Sequence, residues 1–374
     1  MKFVYGLIFL CFLVFFHELG HFIAARFFKV KVLSFSIGMG PVLFHKMIKG
    51  TDYRLSLLPL GGYCGMKGEK DFSTALEAKL SSIPAEKDSL YGIHPLKRAA
   101  VAFAGPFFNL LFAFAAFTAI SMIGFTYYAP SAKIVLADEV YPEIHSAARD
   151  AGIQTGDTIL QVNSSKVNDF SDIATFVAMR PDEDILVKVE RNGGILTFTV
   201  HTDMDKADGA GKIGVTSTPN SVEKREMPTY SFFPALVQGT KSTAQMIALS
   251  IKSIAILFKG VDIQNAVSGP ARITSMLGDT VEEGFSAGFR VGFVNTLQFL
   301  ALISISLFML NLLPIPILDG GLILFSFIEM IIHRQVPPKI QYYVQYVGLA
   351  FIIMLFLVGV FGDIHYFIST AGAK

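Results

Sequence analysis

The sequence is poor in charged residues, in cysteine and in tryptophan. Only 16% of its 374 residues are Asp, Glu, Lys or Arg, whereas a soluble domain has about 25%. Its two cysteines, Cys11 and Cys64, form no CxxC pair and exclude a disulfide framework. Tryptophan is absent, so any interfacial belt must consist of Tyr and Phe. The net charge of +1 argues against a nucleic-acid partner.

Hydrophobic residues make up 52% of the chain, and much of this content is concentrated in long runs. The third run is interrupted at 314–321 by two prolines and an Asp-Gly-Gly sequence, so a helix should break there. The sequence therefore predicts a polytopic α-helical membrane protein with about four transmembrane helices. The predicted spans are residues 3–25, 99–125, 293–332 and 342–361.

The basic residues predict how these spans are oriented. Residues 26–98 contain 12 Lys and Arg against 6 Asp and Glu, whereas residues 127–290 contain 15 against 20. The loop between the last two spans contains Arg334 and Lys339 and no acid. The excess of positive charge places residues 26–98 and this loop in the cytoplasm, and the long middle segment on the other side of the membrane.

Residues 17–21 read His-Glu-Leu-Gly-His and lie within the first predicted span. A spacing of four puts His17 and His21 on one face of a helix, where two imidazoles can bind one zinc ion. Glu18 beside them can take a proton from zinc-bound water. The alternative is a chance match without a metal, but ionisable groups at membrane depth are costly and need a partner. A hydrolase that cuts bonds inside the membrane is the first hypothesis.

A catalytic zinc site usually has three protein ligands, so another span must supply one more. Asp319 is the only acid between Phe293 and Phe327. It lies where the helix should break, and irregular backbone at membrane depth lines a cavity or the protein interior. The alternative is that Asp319 caps the helix that resumes at Gly321. The two roles are compatible, and Asp319 is the best candidate for the third ligand.

The His-Glu-Leu-Gly-His motif, together with the sequence NLLPIPILDGG at 311–321, resembles the site-2 protease family of intramembrane zinc metalloproteases. Further motifs of the family occur in the expected order at 36–41, 53–63 and 104–109. Within the family, the resemblance is closest to the bacterial proteases that cleave anti-sigma factors. It implies one Zn²⁺ per chain, with Glu18 as general base and three ligands: His17, His21 and Asp319. It also implies substrate-binding residues at Asn311, Pro314, Pro316 and Asn109.

Apolar and polar residues alternate in places between residues 30 and 65, which favours strands with Gly38 and Gly40 at turns. The resemblance implies a membrane-associated β-hairpin whose edge receives an extended substrate by strand addition. The alternative is an ordinary hairpin that packs on the helices.

Residues 146–163 resemble the core of a PDZ domain. The predicted elements are a helix ending at Gly152, a turn at Gly156, strand 158–162, helix 170–179 and strands 185–191 and 195–201. A PDZ groove binds an extended peptide or a C-terminus, and the resemblance implies that it screens substrates. The alternative is a spacer with an unused groove. Related proteases carry two tandem PDZ domains, whereas residues 127–219 have room for one.

These observations divide the chain into four predicted regions. The first two are residues 1–126, with transmembrane helices 1 and 2 and a cytoplasmic β-hairpin and loop, and residues 127–219, an extracytoplasmic PDZ domain of mixed α/β structure. The others are residues 220–292, with an interfacial amphipathic helix and a linker, and residues 293–374, with transmembrane helices 3 and 4.

The predicted function is that of an intramembrane zinc endopeptidase in regulated intramembrane proteolysis. It would cut within transmembrane segments of single-span proteins, either an anti-sigma factor or remnant signal peptides. Further predicted partners are a peptide or C-terminal ligand of the PDZ domain and membrane lipid. The predicted location is the bacterial cytoplasmic (inner) membrane, with the active site toward the cytoplasm. The alternatives are a membrane zinc-binding or transport protein, which needs a polar pathway, and a non-catalytic peptide-binding scaffold.

Overall fold

The computed structural model of the protein describes residues 2–84, 86–205, 209–219, 221–257 and 268–372. In chain order, its helices are α1 (Lys2–Phe27), α2 (Glu69–Glu77), α3 (Pro95–Ile123), α4 (Ala137–Val140), α5 (Ala147–Asp150), α6 (Phe170–Ala178), α7 (Phe232–Leu257), α8 (Pro270–Ser286), α9 (Phe289–Asn311), α10 (Asp319–Ile332) and α11 (Pro338–Gly372). Its strands are β1 (Val32–Ile48), β2 (Thr51–Met66), β3 (Thr126–Pro130), β4 (Ile134–Leu136), β5 (Thr158–Val162), β6 (Ser165–Lys166), β7 (Asp184–Arg191), β8 (Gly194–His201), β9 (Asp203–Met204), β10 (Gly211–Lys212), β11 (Val215–Ser217) and β12 (Val222–Glu226).

The chain forms two compact units. The first contains Met1–Met122, Ser231–Thr243 and Gly269–Lys374, and the second contains Ile123–Tyr230 and Ala244–Ser268. Within the second unit β12 pairs with β3, so this unit extends beyond the predicted boundaries of 127–219. Part of the predicted linker, residues 258–267, lies outside the described residues.

Four helices of the described residues are long and apolar enough to span a membrane, namely α1, α3, α9 and the Pro338–Ile368 part of α11. They agree with the predicted polytopic helical protein. The predicted span 293–332 is divided, as expected from its prolines, because α9 ends before them and α10 begins after them. A Cβ on Gly320 would lie 2.2 Å from the Leu313 carbonyl oxygen, so only glycine lets this loop fold back onto α10.

β1 and β2 form the predicted hairpin, but its turn differs from the prediction. The turn is at Lys49 and Gly50, which have positive φ angles of 49° and 81°. The prediction of turns at Gly38 and Gly40 was wrong. Both glycines lie within β1 at φ angles of 83° and 82°, where the strand register shifts. Glycine is needed at both positions because the chain bends inside a strand rather than ending it.

The register shifts give the hairpin four paired segments rather than two. Residues 34–37 pair with 62–65 on one side and with 52–55 on the other. Residues 44–48 pair with 51–55 and form one outer segment, whose Phe44 is 72% exposed. The opposite outer segment, 62–66, lies against α1.

The second unit is built around an antiparallel sheet with the strand order β6-β5-β7-β8. Ile185, Val187 and Val189 alternate along β7 and are fully buried in its core. Helix α6 begins after Asp169, whose carboxylate accepts hydrogen bonds from two backbone N–H groups of the first turn. The predicted helices and strands of this region are found within a few residues of their expected bounds. The assignment of the unit to the PDZ fold stays a prediction.

Candidate metal centre

The centre begins with the two histidines of α1. Because four residues make just over one helical turn, His17 and His21 lie on the same face of this 26-residue helix. Their ring centroids are 4.9 Å apart, and the two Nε2 atoms approach to 3.2 Å. Both rings therefore direct the same nitrogen toward one point.

Asp319, the first residue of α10, meets these histidines from the other end of the sequence. Its Oδ2 lies 3.2 Å from Nε2 of His17, and its Oδ1 lies 3.3 Å from Nε2 of His21. The N-cap position of α10 is occupied by Leu318, so the capping role considered for Asp319 is not the one seen. The carboxylate is directed at the two imidazoles instead.

The spacing of these three side chains fits zinc. Tetrahedral ligands at zinc-bond lengths of about 2.0–2.1 Å are about 3.3–3.4 Å apart. The three observed separations are 3.2, 3.2 and 3.3 Å. Side-chain exposures of 12%, 8% and 21% leave the set largely screened from solvent. Among the described residues, this is the one group of three or more His, Cys, Asp and Glu side chains whose ligand atoms converge in this way.

Helix α3 supports His21 through its backbone. The Nδ1 atom of His21 lies 2.9 Å from the carbonyl oxygen of Val101. A Cβ on Gly105 would lie 2.2 Å from His21 Nε2, and a Cβ on Gly20 would lie 2.2 Å from the Ala104 carbonyl oxygen. The two glycines thus allow α1 and α3 to approach closely. The sequence identified 104–109 as a family motif but did not reveal this contact, because a backbone carbonyl has no signature in the sequence.

Asn109, predicted to bind substrate, lies behind His17. It is fully buried, and its Nδ2 is 3.1 Å from His17 Nδ1. Its backbone carbonyl accepts a hydrogen bond from the Ser304 hydroxyl of α9 at 2.8 Å. The side chain therefore contacts the candidate metal centre and has no exposed surface for a substrate.

Glu18, the predicted general base, is partly buried at the same level of α1. The backbone N–H of Cys64 in β2 donates a hydrogen bond to its carboxylate. A Cβ on Gly62 would lie 3.5 Å from the Glu18 Cγ, so this segment of β2 runs directly beside the side chain. The hairpin and the candidate catalytic residues thus form one site.

The other predicted substrate-binding residues lie in or beside the break between α9 and α10. Asn311 is the last residue of α9 and is partly buried, Pro314 is exposed, and Pro316 is partly buried. A Cβ on Gly348 of α11 would lie 3.1 Å from Pro316 Cδ, so α11 supports this loop from behind. These three residues thus lie in the stretch of chain that leads into Asp319. Their contact with a substrate stays a prediction.

Two further buried acids of the first unit have partners within the protein. Arg98 Nη1 donates to Glu329 Oε2 at 2.8 Å, and each side chain is 2% exposed. Asp363 of α11 accepts hydrogen bonds from three backbone N–H groups at the start of α8, those of Gly269, Ala271 and Arg272. These pairings have no local signature in the sequence, since the partners are far apart in the chain.

The second unit contains an apolar cavity of about 560 Å³. Ile173 and Val177 of α6 line one side, and Ile213 and Val215, from the segment containing β10 and β11, line the other. His145 and Asp203 also line the cavity, and His145 Nδ1 lies 2.8 Å from Asp203 Oδ2. His145 Nε2 lies 2.9 Å from Oδ2 of Asp150, which is outside the lining. The hydrogen bonds that His145 donates to these carboxylates, that to Asp203 first, raise the pKa of His145 above its ordinary value.

Comparison with known proteins agrees with the chemistry of this centre. The profile of Peptidase family M50 matches residues 5–355. Three similar proteins carry the name "Putative zinc metalloprotease". That of Treponema pallidum is 36% identical over 98% of this chain and 99% of its own length. That of Campylobacter jejuni is 36% identical over 97% of this chain and 93% of its own length. That of Helicobacter pylori is 32% identical over 97% of this chain and 99% of its own length. The Treponema alignment extends over 446 residues, so that relative has residues without a counterpart here.

Proposed function

The chain belongs to peptidase family M50 and is a zinc metalloprotease with helices suited to a membrane, and we propose that it is an endopeptidase cutting within transmembrane segments of single-span proteins. The observation that carries the proposal is that His17 and His21, beside Glu18 on the apolar 26-residue helix α1, converge with Asp319 of α10 at tetrahedral spacing. A soluble hydrolase would not need its motif in such a helix, because polar groups at membrane depth are costly.

The proposed ligands are His17 and His21 through Nε2 and Asp319 through a carboxylate oxygen. When bound, zinc acts as a Lewis acid and lowers the pKa of water at the site toward neutrality. Glu18 is the proposed general base: its carboxylate would take a proton from the attacking water and pass it to the leaving amine. The contact of Glu18 with Gly62 and the Cys64 N–H supports a position of its carboxylate on the side of the hairpin.

The hairpin is the proposed place where substrate is held. A peptide bond in a helix is shielded by its own hydrogen bonds, so a substrate must be extended before it can be cut. The segment 62–66 runs beside Glu18, and an extended chain could add to the hairpin by backbone hydrogen bonds. Asn311, Pro314 and Pro316 are the proposed lining on the side of Asp319.

We propose that the chain is organised in the four predicted regions, 1–126, 127–219, 220–292 and 293–374, with β12 at the start of the third region joined to the second by its pairing with β3. The proposed location is the bacterial cytoplasmic membrane. The basic residues of 26–98 support a cytoplasmic position for that region. Anti-sigma factors and remnant signal peptides are the proposed substrates, as the resemblance to the site-2 protease family implies.

The second unit is the proposed PDZ domain, and its cavity is the proposed peptide groove. The cavity lies between a helix and the β10–β11 segment, the arrangement in which a PDZ domain adds a peptide strand. Ala174 lines it from the exposed face of α6, so Ala174→Arg should weaken peptide binding, measured by fluorescence anisotropy of labelled C-terminal peptides. Thr175→Arg, on the same helix but outside the lining, is the matched control. Equal binding by both variants would contradict this location.

The buried acids weigh against a transport function. A zinc transporter needs a polar pathway, yet Glu329 is paired with Arg98 and Asp363 binds the start of α8. A peptide-binding scaffold would need neither Glu18 nor the three converging ligand atoms. Both alternatives therefore explain less of the first unit than a protease does.

The test uses the full chain in liposomes with a tagged single-span substrate. The wild type should cut within the transmembrane segment, lose activity on zinc chelation and regain it when zinc is restored. Glu18→Gln should keep its zinc and cut about 100- to 10,000-fold more slowly, since a general base contributes that much. Glu282→Gln, an exposed acid of α8, is the control and should cut normally. Full activity of Glu18→Gln, or cutting by the zinc-free protein, would refute the proposal.

A further inference from the structure

Both candidate histidine ligands use their second ring nitrogen to contact α3. His21 Nδ1 is 2.9 Å from the carbonyl oxygen of Val101, and His17 Nδ1 is 3.1 Å from the Asn109 amide. The Nε2 atoms of both rings face Asp319 instead. One helix therefore sets the orientation of both rings from behind.

The contact of His21 determines its tautomer. A carbonyl oxygen can only accept a hydrogen bond, so His21 Nδ1 must carry the proton. In the neutral imidazole, Nε2 then has a free lone pair directed at the centre. This is the form that can bind a metal ion through Nε2.

His17 faces the same requirement, and Asn109 is the group that can meet it. If His17 Nε2 is to bind zinc, Nδ1 must carry a proton and needs an acceptor. The Asn109 amide offers either an oxygen or a nitrogen at this position, because half a turn about its last side-chain bond exchanges the two. With Oδ1 toward the ring, Asn109 accepts the Nδ1 proton as Val101 does for His21.

The environment of Asn109 indicates that the amide is kept for this contact. The side chain is fully buried, and the end of its amide that faces away from His17 has no hydrogen-bond partner among the described residues. A buried polar group without a partner costs stability that an apolar side chain would not. The connection between α3 and α9 uses the Asn109 backbone carbonyl, which accepts from Ser304, so packing there does not require the amide.

We propose that Asn109 is a positioning residue that accepts a hydrogen bond from His17 Nδ1 and so fixes the tautomer and ring plane in which His17 binds zinc. This inference rests on the proposed function of His17 as a ligand, and it replaces the substrate-binding role predicted for Asn109. Removing such an outer partner of a zinc-bound histidine typically weakens metal binding about 10- to 100-fold.

The test measures zinc affinity of the purified full chain by competition with a chromophoric chelator. Asn109→Leu keeps the volume but removes the acceptor, and it should bind zinc about 10- to 100-fold more weakly. Asn109→Asp keeps an acceptor of the same shape and should bind far more tightly than Asn109→Leu. Ser304→Ala breaks the contact between α3 and α9 without touching His17, and it should bind zinc as the wild type does.

A double-mutant cycle shows whether Asn109 acts through His17. In a His17→Ala background, Asn109→Leu should cause no further loss of zinc affinity, because the ring it orients is absent. Equal losses in both backgrounds would indicate a general packing effect and overturn the inference, as would wild-type affinity in Asn109→Leu. A weakened but zinc-binding His17→Ala protein would support the proposed ligand set independently. If His17→Ala binds zinc as tightly as the wild type, the proposed ligand role of His17 fails first, and the role of Asn109 with it.

Discussion

Two of the buried polar clusters in the first unit balance their charges in different ways. Arg98 and Glu329 form a pair with opposite charges, 2.8 Å apart. The other cluster brings together His17, His21 and Asp319, and its ligand atoms all lie within 4.8 Å of one another. The first cluster is complete as it stands, whereas the second presents lone pairs that converge on a common point.

The surroundings of the two clusters strengthen the contrast. The Arg98 guanidinium also donates to the Leu90 carbonyl and lies 4.8 Å from the Tyr91 ring centroid, and Glu329 accepts from the Val336 N–H. The Asp319 carboxylate instead has the two histidine Nε2 atoms as its neighbours, at 3.2 and 3.3 Å. A buried ion pair that is satisfied on every side holds helices together, and a converging set of donors is suited to hold a cation.

Among the substitutions that test this contrast, replacing Asp319 should have the largest effect on zinc binding. Asp319→Ala leaves only two of the three proposed ligands, so proteolysis should cease. Zinc binding should weaken by more than about 100-fold, which is the upper range for losing a hydrogen-bond partner of a ligand rather than the ligand itself. Glu329→Ala, which removes an acid that is even more deeply buried, should keep its zinc. Metal content by atomic absorption after dialysis measures both variants. Unchanged zinc in Asp319→Ala would remove this residue from the ligand set.

Breaking the ion pair should affect stability rather than zinc. Arg98→Met leaves the Glu329 carboxylate buried without its partner, so the free energy of unfolding should fall by about 3–5 kcal/mol. The double variant Arg98→Met with Glu329→Leu should recover most of this loss, since no unpaired charge remains. Reversible unfolding in mixed micelles provides the measurement. A double variant that is less stable than Arg98→Met would show that the pair contributes through more than mutual neutralisation.

Much of this first unit could be predicted because its signals are local. The spacing of His17 and His21, the prolines before Asp319 and the long apolar runs each follow from a few neighbouring residues. The hairpin was also predicted, but its turn was not, because Gly38 and Gly40 look like turn residues whether they end a strand or bend it. Local patterns thus identified elements more reliably than the bends within them.

The contacts that support the centre could not be predicted from the sequence. Arg98 and Glu329 are 231 positions apart, and His21 and Val101 are 80 apart. In the second contact the acceptor is a backbone carbonyl, which every residue possesses. Without pairing information between distant positions, only the folded chain reveals which carbonyl lies behind which ring.

A substitution that disturbs the close approach of α1 and α3 should have an intermediate effect on zinc binding. In Gly105→Ala the new Cβ would lie 2.2 Å from His21 Nε2, so the ring must move away and zinc binding should weaken about 10- to 100-fold. Gly278→Ala is the matched control, because its Cβ would meet the Lys2 carbonyl at 2.3 Å, where α8 contacts the start of α1. This control should lose stability and keep its zinc affinity. Equal zinc binding in both variants would show that His21 has more freedom than its packing indicates.

The exposed charges around His145 are a third case, in which removing one partner should have the smallest effect. His145 in the second unit contacts Asp203 and Asp150, and all three side chains are largely exposed, so solvent screens their interaction. Because these carboxylates raise its pKa, the protonated His145 contributes stability in full below the ordinary histidine pKa of about 6.5, and this contribution is lost as pH rises through the raised value. Titration of the His145 ring by NMR should show a lower pKa in Asp203→Asn than in the wild type, whereas Asp184→Asn, which removes the partner of His201, should leave it unchanged. The same His145 pKa in wild type and Asp203→Asn would mean that solvent already cancels the interaction between the two charges. Buried and exposed charge pairs would then differ in strength by more than their similar distances imply.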